Sequence, residues 1–555
     1  MGAAGMPDQE VYDYIVIGSG FGGSVSAMRL AEKGYSVLVV EQGKRWAPAD
    51  FPKTNWRLSR YLWLPRLRWF GIQALTFFRE VFVISGAGVG GGSLVYANTH
   101  MMPKEPFYTN RIWAHFKDWK RTLAPYYERA TFMLGTARFE KDYEEDRVLR
   151  EVADDMGCGG SFRPVDGVGV YLGDPDAAVD PYFKGLGPVR LGCTECAGCM
   201  VGCRYDAKNT LDKNYLWFAE RTFGARVLAE TRVTRVERDG GAYAVHTESS
   251  TAWFAKRHRT FRSKGVVVSA GVLGTVRLLL RQKHVYQTLP GLSDTLGRHV
   301  MTNSEMLSGV IGADRRLNHG IAISRSFSPD EHTTIEIVKF PDRSGLMVRL
   351  GIMAAGDGPP IVRIAKSLGG VARHPLRFLR AAGRPNAPRT SVVFLIMQSL
   401  ENSMRFALRR GLFGRTLTMR NDGGQKVPTY IAVGQDALWR YAAKVNGVAV
   451  NALTEVAFNL ASTAHILGGC PMGRTAADGV VDDRFRVHGY ENMYVLDGSI
   501  VPCNLGVNPS LTITALAEYA MDQIPPKPGT AVRTLDARLA DRSAVEAVAQ
   551  GFSPV

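Results

Sequence analysis

No uninterrupted apolar run in this sequence approaches the ~18 residues of a membrane-spanning helix, which excludes a span of that kind. Only eleven residues precede the first strand-like run, "YDYIVIG", leaving no room for the charged and apolar regions of a secretory leader. The opening MGAAGM has Met6 where a myristoylation signal requires Ser or Thr, which disfavours a lipid anchor. Cysteine is scarce, seven in 555 residues, and without a leader these thiols fit a reducing compartment. Acidic side chains are also the minority, 52 against 68 basic ones, for a formal net charge of +16. That excess suits an anionic membrane, nucleic acid or an acidic ligand. No recognised nucleic-acid motif accompanies it, so no nucleic-acid partner is expected. The expected location is the cytoplasm, with peripheral contact to an anionic membrane kept open.

What is present reads as a large α/β chain, 45% hydrophobic and 10% aromatic, long enough for two or more domains or one interleaved unit. Tyr12 to Ile17 is a β-branched run ending in Gly18-Ser19-Gly20-Phe21-Gly22-Gly23, followed by the helix-like "SVSAMRLAEKG" and a second strand, "YSVLVVE". Strand, G-x-G-x-x-G, helix, strand and acid together form a dinucleotide-binding unit. Its glycines allow a tight turn and close approach of backbone to pyrophosphate, and Glu41 is placed to bind a ribose hydroxyl.

Three later stretches extend the pattern. "ISGAGVGGGSLVYANTH" places five glycines between Gly86 and Gly92, too many for a helix or strand interior, and so reads as a loop against which a flat ligand can lie. "GVVVSAGVLGTVRLLL" reads as a buried strand, a glycine turn and a helix. "ENMYVLDGSIVPCNLGVNPSLTITALAEYAM" gives a strand, the Asp497-Gly498 turn and a helix opening near Pro509, since proline suits a first helical turn.

Together with "NTLDKNYL" and "HILGGCPMG", these motifs resemble the glucose–methanol–choline (GMC) oxidoreductase family, most closely its bacterial cholesterol oxidase branch, over about residues 12 to 525. The resemblance implies a noncovalent FAD and no metal. It implies a Rossmann-like FAD-binding domain assembled from residues 12–45, 82–100, 225–300 and 480–525. An α+β substrate domain and lid on a mixed or antiparallel sheet would come from 46–81, 101–224 and 301–479, with 526–555 as a mobile C-terminal extension. Residues implied to hold FAD are Gly18, Gly20, Phe21, Gly22, Gly23, Glu41, Gly86, Gly88, Gly92, Ser93, Asn98, Val233, Ala270, Asp497, Gly498, Asn508 and Pro509. Backbone near Val233 would meet the adenine, Asp497 and Gly498 the ribityl-phosphate region, and Gly92, Ser93 and Asn98 the flavin.

Oxidising an alcohol with a flavin requires loss of the hydroxyl proton and transfer of the carbinol hydride. His465 and Asn508 match the family's histidine and asparagine beside the flavin ring. His465 would orient and help deprotonate the hydroxyl, and Asn508 would bind substrate oxygen or the flavin edge. The helix after Asn508 would aim its N-terminal amides at the reduced flavin's negative charge. Glu336, between Ile335 and Ile337 in an alternating strand, resembles the carboxylate that this branch places over the substrate. An apolar pocket would raise its pKa and let it move a proton and shift a double bond. The alternative is an exposed strand glutamate paired with Lys339 or Arg325.

The resemblance therefore implies FAD-dependent oxidation of a sterol 3β-hydroxyl, using O2 and coupled to isomerisation. The alternatives are a dehydrogenase of another lipid-like alcohol with a non-oxygen acceptor, and a non-catalytic membrane-associated lipid-binding flavoprotein.

Two basic regions stand apart. Between Gly358 and Leu400 there are seven arginines or lysines and no acid. On a helical projection Ile361, Ile364, Ala365, Leu368, Val371, Ala372, Leu376 and Leu379 share one face and Arg363, Lys366, Arg373, Arg377 and Arg380 the other. That suits either a helix lying on an anionic membrane or an ordinary surface helix, broken or bent at Gly369, Gly370 and Pro375. "NWRLSRYLWLPRLRWFGIQALTFFRE" falls where the family places a lid. Finally, "GCTECAGCMVGC" sets Cys193, Cys196, Cys199 and Cys203 at the C-x2-C-x2-C-x3-C spacing of iron–sulfur ligands, with Arg204 in place of the usual proline and no second cysteine set. An iron–sulfur cluster, zinc and free thiols all remain open for it.

Overall fold

The computed structural model describes residues 11–411, 414–423 and 425–549, with side chains through residue 542. The N-terminal residues read for a lipid anchor and the last six of the chain lie outside the described residues. Four sheets organise the described residues. In the first, Arg226–Leu228, Val37–Val40, Val11–Ile17 and His258–Val268 run parallel, Met493–Val495 adds a further parallel strand, and Ala242–Ser249 and Thr231–Asp239 form an antiparallel meander. The long strand His258–Val268 changes character along its length. "HRTFRSK" alternates where it faces the meander, and "VVV" is buried on both faces where it meets Met493–Val495. A strand covered on both sides must be apolar throughout, whereas one wet face permits alternation.

Helices Phe21–Glu32 and Ser510–Asp522 are joined by buried charge. Arg29 donates Nε and Nη2 to the two Glu518 oxygens at 2.8 and 2.9 Å, and Nη1 to Glu32 at 2.8 Å. Tyr215 donates its hydroxyl to Glu518 at 2.7 Å.

The second large sheet is antiparallel, in the order Gly351–Met353, Val448–Ala452, Met306–Ile311, Val392–Gln398, Thr333–Val338, Arg325–Phe327 and Arg163–Pro164. Ile335, Ile337, Phe394 and Ile396 pack with Val148, Leu149, Leu438 and Tyr441 from helices Glu144–Asp155 and Ala432–Lys444. Val338, Leu395 and Met397 join the main core on the other face, and Glu336 stands opposite Leu395 in register. A small sheet made of Ala461–Thr463, Val81–Gly86, Gln73–Phe77, Leu62–Leu64 and Trp69–Phe70 contains much of the expected lid segment. It runs into the chain just before His465.

Two expectations change. The segment after Pro525, expected to be mobile, docks: Leu535 is fully buried, its N–H donates to Glu32 at 2.6 Å, and Lys527 pairs with Asp13 at 2.6 Å. The basic insert forms helices Pro360–Arg373 and Pro375–Ala382, interrupted at His374 and not at Gly369 and Gly370. Its projection is reversed at a central position. Arg363 is buried and donates to Thr429 and to the Glu455 carbonyl, while Ile361, Leu368, Leu376 and Leu379 are 77, 55, 65 and 63% exposed. A buried guanidinium held through both Nη atoms anchors the helix and turns its apolar residues outward.

Replacing Glu518 by Ala strands the buried Arg29 with Glu32 alone. A loss of about 3 kcal/mol or more is expected, read as a lower thermal midpoint, because one member of a buried charge network is removed.

Candidate active site

The nucleotide turn is built by contact. Gly18 has φ +97°, and a Cβ there would lie 2.2 Å from the Ser269 carbonyl oxygen. A Cβ on Gly22 would lie 1.8 Å from the Leu496 carbonyl oxygen, and one on Gly23 would lie 2.1 Å from that of Gly18. Gly20 is different, since a Cβ there meets nothing within 4 Å. Its open side lies at the N-terminus of helix Phe21–Glu32, where free N–H groups favour phosphate.

Glu41 is buried and already engaged. Its oxygens accept from the Ser19 N–H and hydroxyl at 3.0 and 2.7 Å and from the Gly43 N–H at 2.8 Å. Burial raises its pKa, and these bonds oppose the rise. Ser19 also accepts from the Gly90 N–H at 3.1 Å, which ties the turn to the second glycine loop. In that loop Gly86 and Gly91 back onto one another, Gly91 reaches Gly20, Gly88 has φ +141°, and Gly92 lies beside Phe21. Ser93 accepts from Leu211 N–H and donates to the Gly90 carbonyl.

The remaining expected FAD contacts lie on surrounding elements. Ala270 precedes helix Gly271–Arg281 and lies against Gly18. Asp497 accepts from Thr275 and from the Ser499 N–H at 2.5 and 2.8 Å, with burial raising its pKa. Gly498 packs on Val272. Val233 lies in strand Thr231–Asp239, whose first N–H donates to the Glu41 carbonyl.

Asn98 is fully buried, has φ +62°, and neither its Oδ1 nor its Nδ2 has a partner among the described residues. An amide left unsatisfied in a sealed position is costly unless a ligand completes it. The open Gly20, the helix N-terminus and the unpaired Asn98 all fit a bound dinucleotide. Asn98, Ser93 and Gly92 would face its ring end.

His465 follows strand Ala461–Thr463, and Asn508 precedes Pro509 and helix Ser510–Asp522. Although 43 residues apart in sequence, they meet with Asn508 Nδ2 at 3.5 Å from His465 Nε2. Behind the imidazole lies a carboxylate that sequence reasoning missed. Glu305 is fully buried, its Oε1 is 2.5 Å from His465 Nδ1, and its Oε2 accepts the Ala464 N–H at 2.8 Å. The only local signal was an acid entering the apolar strand Met306–Ile311.

Asn303 and Ser304, immediately before Glu305, have φ of +58° and +45°. Asn504 holds them: its Oδ1 accepts from the Asn303 N–H at 2.7 Å and its Nδ2 donates to Ser304 at 3.1 Å. Ser304 also lines a cavity of about 350 Å³ with Gln398, Leu400, Asn402 and Tyr430.

Glu336 is fully buried, and neither carboxylate oxygen has a hydrogen-bond partner among the described residues. The pairing alternative fails, because Lys339 pairs with Glu145 and Arg325 with Asp142. Desolvation pushes the Glu336 carboxyl up to about 8, helped by Glu305 and opposed by the neighbouring Asn508. Asn508, with His465 on one side and Glu336 on the other, therefore links a histidine and a raised carboxyl at one place.

A dinucleotide cradle next to an imidazole, an amide and a raised carboxyl fits a dinucleotide-dependent oxidoreductase. The family model described as GMC oxidoreductase matches residues 190–284 and 418–517, and that of an NAD(P)-binding Rossmann-like domain matches 16–47. A cholesterol oxidase of Acinetobacter baumannii is 42% identical over 528 residues, spanning 93% of this chain and 95% of that one. A cholesterol oxidase of Mycobacterium tuberculosis is 42% identical over 533 residues, spanning 93% and 91%. Among solved structures, pyridoxine 4-oxidase from Mesorbium loti superposes with a TM-score of 0.57 at 15% identity, covering 92% of this chain and 98% of that one, a likeness of fold alone. The chain belongs to the GMC oxidoreductase family and is an FAD-dependent oxidoreductase acting on CH–OH donors.

The Glu336 shift carries a sign. From pH 4.5 to about 8 the folded chain keeps a proton that the unfolded chain has lost, so this group's contribution to stability falls as pH rises through that window. The melting temperature of Glu336→Gln relative to the parent should therefore climb from about pH 5 to about pH 9. A flat difference would mean an ordinary carboxylate.

Proposed function

We propose that the chain oxidises the 3β-hydroxyl of a sterol to the ketone, with dioxygen as final electron acceptor, and then moves the ring double bond into conjugation. The observation that carries this reading is Glu336. Alcohol oxidation alone needs no second proton-handling group, whereas isomerising a β,γ-unsaturated ketone needs one that both takes and gives a proton near neutrality. The 42% identity to cholesterol oxidases supports the same substrate class.

Bound FAD supplies the acceptor for the carbinol hydride. Glu305 takes the Nδ1–H of His465, leaving Nε2 as the basic nitrogen on the Asn508 side. The substrate hydroxyl, held between His465 Nε2 and Asn508 Nδ2, gives its proton to His465 as its carbon loses hydride. Glu336 then removes a proton from the ring carbon between the new ketone and the alkene, and returns it to the far alkene carbon. Asn508 beside it opposes the rise that burial imposes on the carboxyl. Helix Ser510–Asp522 directs its N-terminal amides toward this region, which suits developing negative charge.

We also infer that the face bearing Ile361, Leu368, Leu376 and Leu379, rimmed by Lys366, Arg373, Arg377 and Arg380, rests on an anionic membrane that holds the substrate. No helix among the described residues is long and apolar enough to cross a membrane.

Adding cholesterol without oxygen should bleach the flavin absorbance near about 450 nm, and readmitting air should form peroxide. No bleaching with any sterol would sink the proposal. Glu336→Gln should still bleach but accumulate the unconjugated ketone, whereas His465→Asn should slow bleaching by about 10²-fold or more. Separately, the chain should float with vesicles containing anionic lipid and not with neutral ones, and Leu376→Glu with Leu379→Glu should abolish flotation. Equal flotation of parent and variant would remove this face from the argument.

A further inference from the structure

The reaction above makes no use of the cysteine loop. Cys193, Cys196, Cys199 and Cys203 are all free of disulfides, and Cys199 is buried. The loop is wound tightly about its sulfurs: Glu195 and Ala197, which flank Cys196, both have φ +55°, and Gly202 has φ +90°. Left-handed turns at non-glycine residues persist where surrounding contacts over-determine them. Gly320 supplies such contacts: its carbonyl accepts from the Ala197 N–H at 2.7 Å and its N–H donates to the Glu195 carbonyl at 2.8 Å.

One donor points at a sulfur: the Glu195 N–H donates to Cys193 Sγ at 3.4 Å. Gly198 lies against the Cys196 sulfur, where a Cβ would come within 3.1 Å of it. Each of the four sulfurs lies within electrostatic range of the other three.

A second, independent feature is Lys208. Its ammonium is buried, donates to the carbonyls of Cys199 and Leu94 at 2.9 and 3.2 Å, and lies 4.5 Å from the centre of the Tyr96 ring. Among the described residues it has no carboxylate partner, and its acidic neighbours are Cys199 and Cys203. An amine buried without a carboxylate beside it is placed to offset negative charge. Four thiolates around an iron–sulfur core would leave net negative charge there.

Zinc fits less well. Thiolates on one zinc each lie about 2.3 Å from it and so nearly touch one another. Among the described residues no three His, Cys, Asp or Glu side chains are disposed to hold a single ion. In a cluster each cysteine can bind a different iron, which spreads the four sulfurs apart. The sequence holds no second cysteine set, so Cys203 would have to serve the same cluster as the other three, unlike the fourth cysteine of two-cluster ferredoxins.

We propose that Cys193, Cys196, Cys199 and Cys203 ligate an iron–sulfur cluster, with Lys208 as its buried counter-charge. This departs from the metal-free site that the family resemblance implies. The cluster would stand beside the flavin cradle, because Lys208 spans from the Cys199 carbonyl to that of Leu94, the residue after Ser93.

The full chain, purified without oxygen from iron-supplemented cells, should contain iron and acid-labile sulfide in near-equal amounts and show an electron paramagnetic resonance signal after dithionite reduction. Cys196→Ser with Cys199→Ser should lose iron and sulfide but keep FAD, and Lys208→Met should lower iron retention. FAD-loaded parent chain free of iron, or carrying zinc instead, would overturn the proposal even if the serine variant failed to fold. None of these readouts requires sterol turnover, so this assignment and the proposed reaction can fail separately.

Discussion

The molecule depends on one close approach, that of the first nucleotide turn to the ends of two distant strands. Gly18 lies against the Ser269 carbonyl and Gly22 against that of Leu496, at distances that leave no room for a Cβ. Ser269 donates its hydroxyl to the same Leu496 carbonyl at 2.5 Å. Leu496 leads through Asp497 and Gly498 to Asn508 and the helix behind it. The contact that shapes the cofactor cradle therefore also sets the position of the reacting end, and the buried Arg29–Glu518 pair fixes the two helices that leave these turns.

The reacting end combines groups whose surroundings push them toward different tasks. Glu305 is satisfied by His465 and a backbone N–H, so it holds the imidazole in one orientation. Glu336 has no such partners, and burial favours its protonated form. Two carboxylates near one asparagine thus differ because one is hydrogen-bonded and the other is not. The left-handed pair Asn303 and Ser304, held by Asn504, delivers Glu305 to the histidine. Local strain is maintained there by a buried amide network.

The surface follows the same logic of compensation. Arg363 points inward, where Thr429 and the Glu455 carbonyl accept from its Nη atoms, and this turns four aliphatic side chains toward solvent beside a basic rim. A projection based on residue type alone assigns every arginine to the wet face. It cannot register a guanidinium whose hydrogen bonds come from another part of the chain.

Much of the nucleotide-binding half was legible in the sequence because its signals are local. Gly18 to Gly23, Glu41, the alternation around Glu336 and the Pro509 boundary all depend on spacing, steric room and strand periodicity within a few residues. The family motifs extended that reading to FAD, His465 and Asn508. What only tertiary structure decided are the pairings between remote segments. Glu305 reaches His465 across 160 residues, the tail docks on Glu32, and Lys208 joins the cysteine loop to the carbonyl of Leu94. Periodicity specifies which face a side chain occupies. Whether a buried charge there finds a partner depends on what the rest of the chain packs against it.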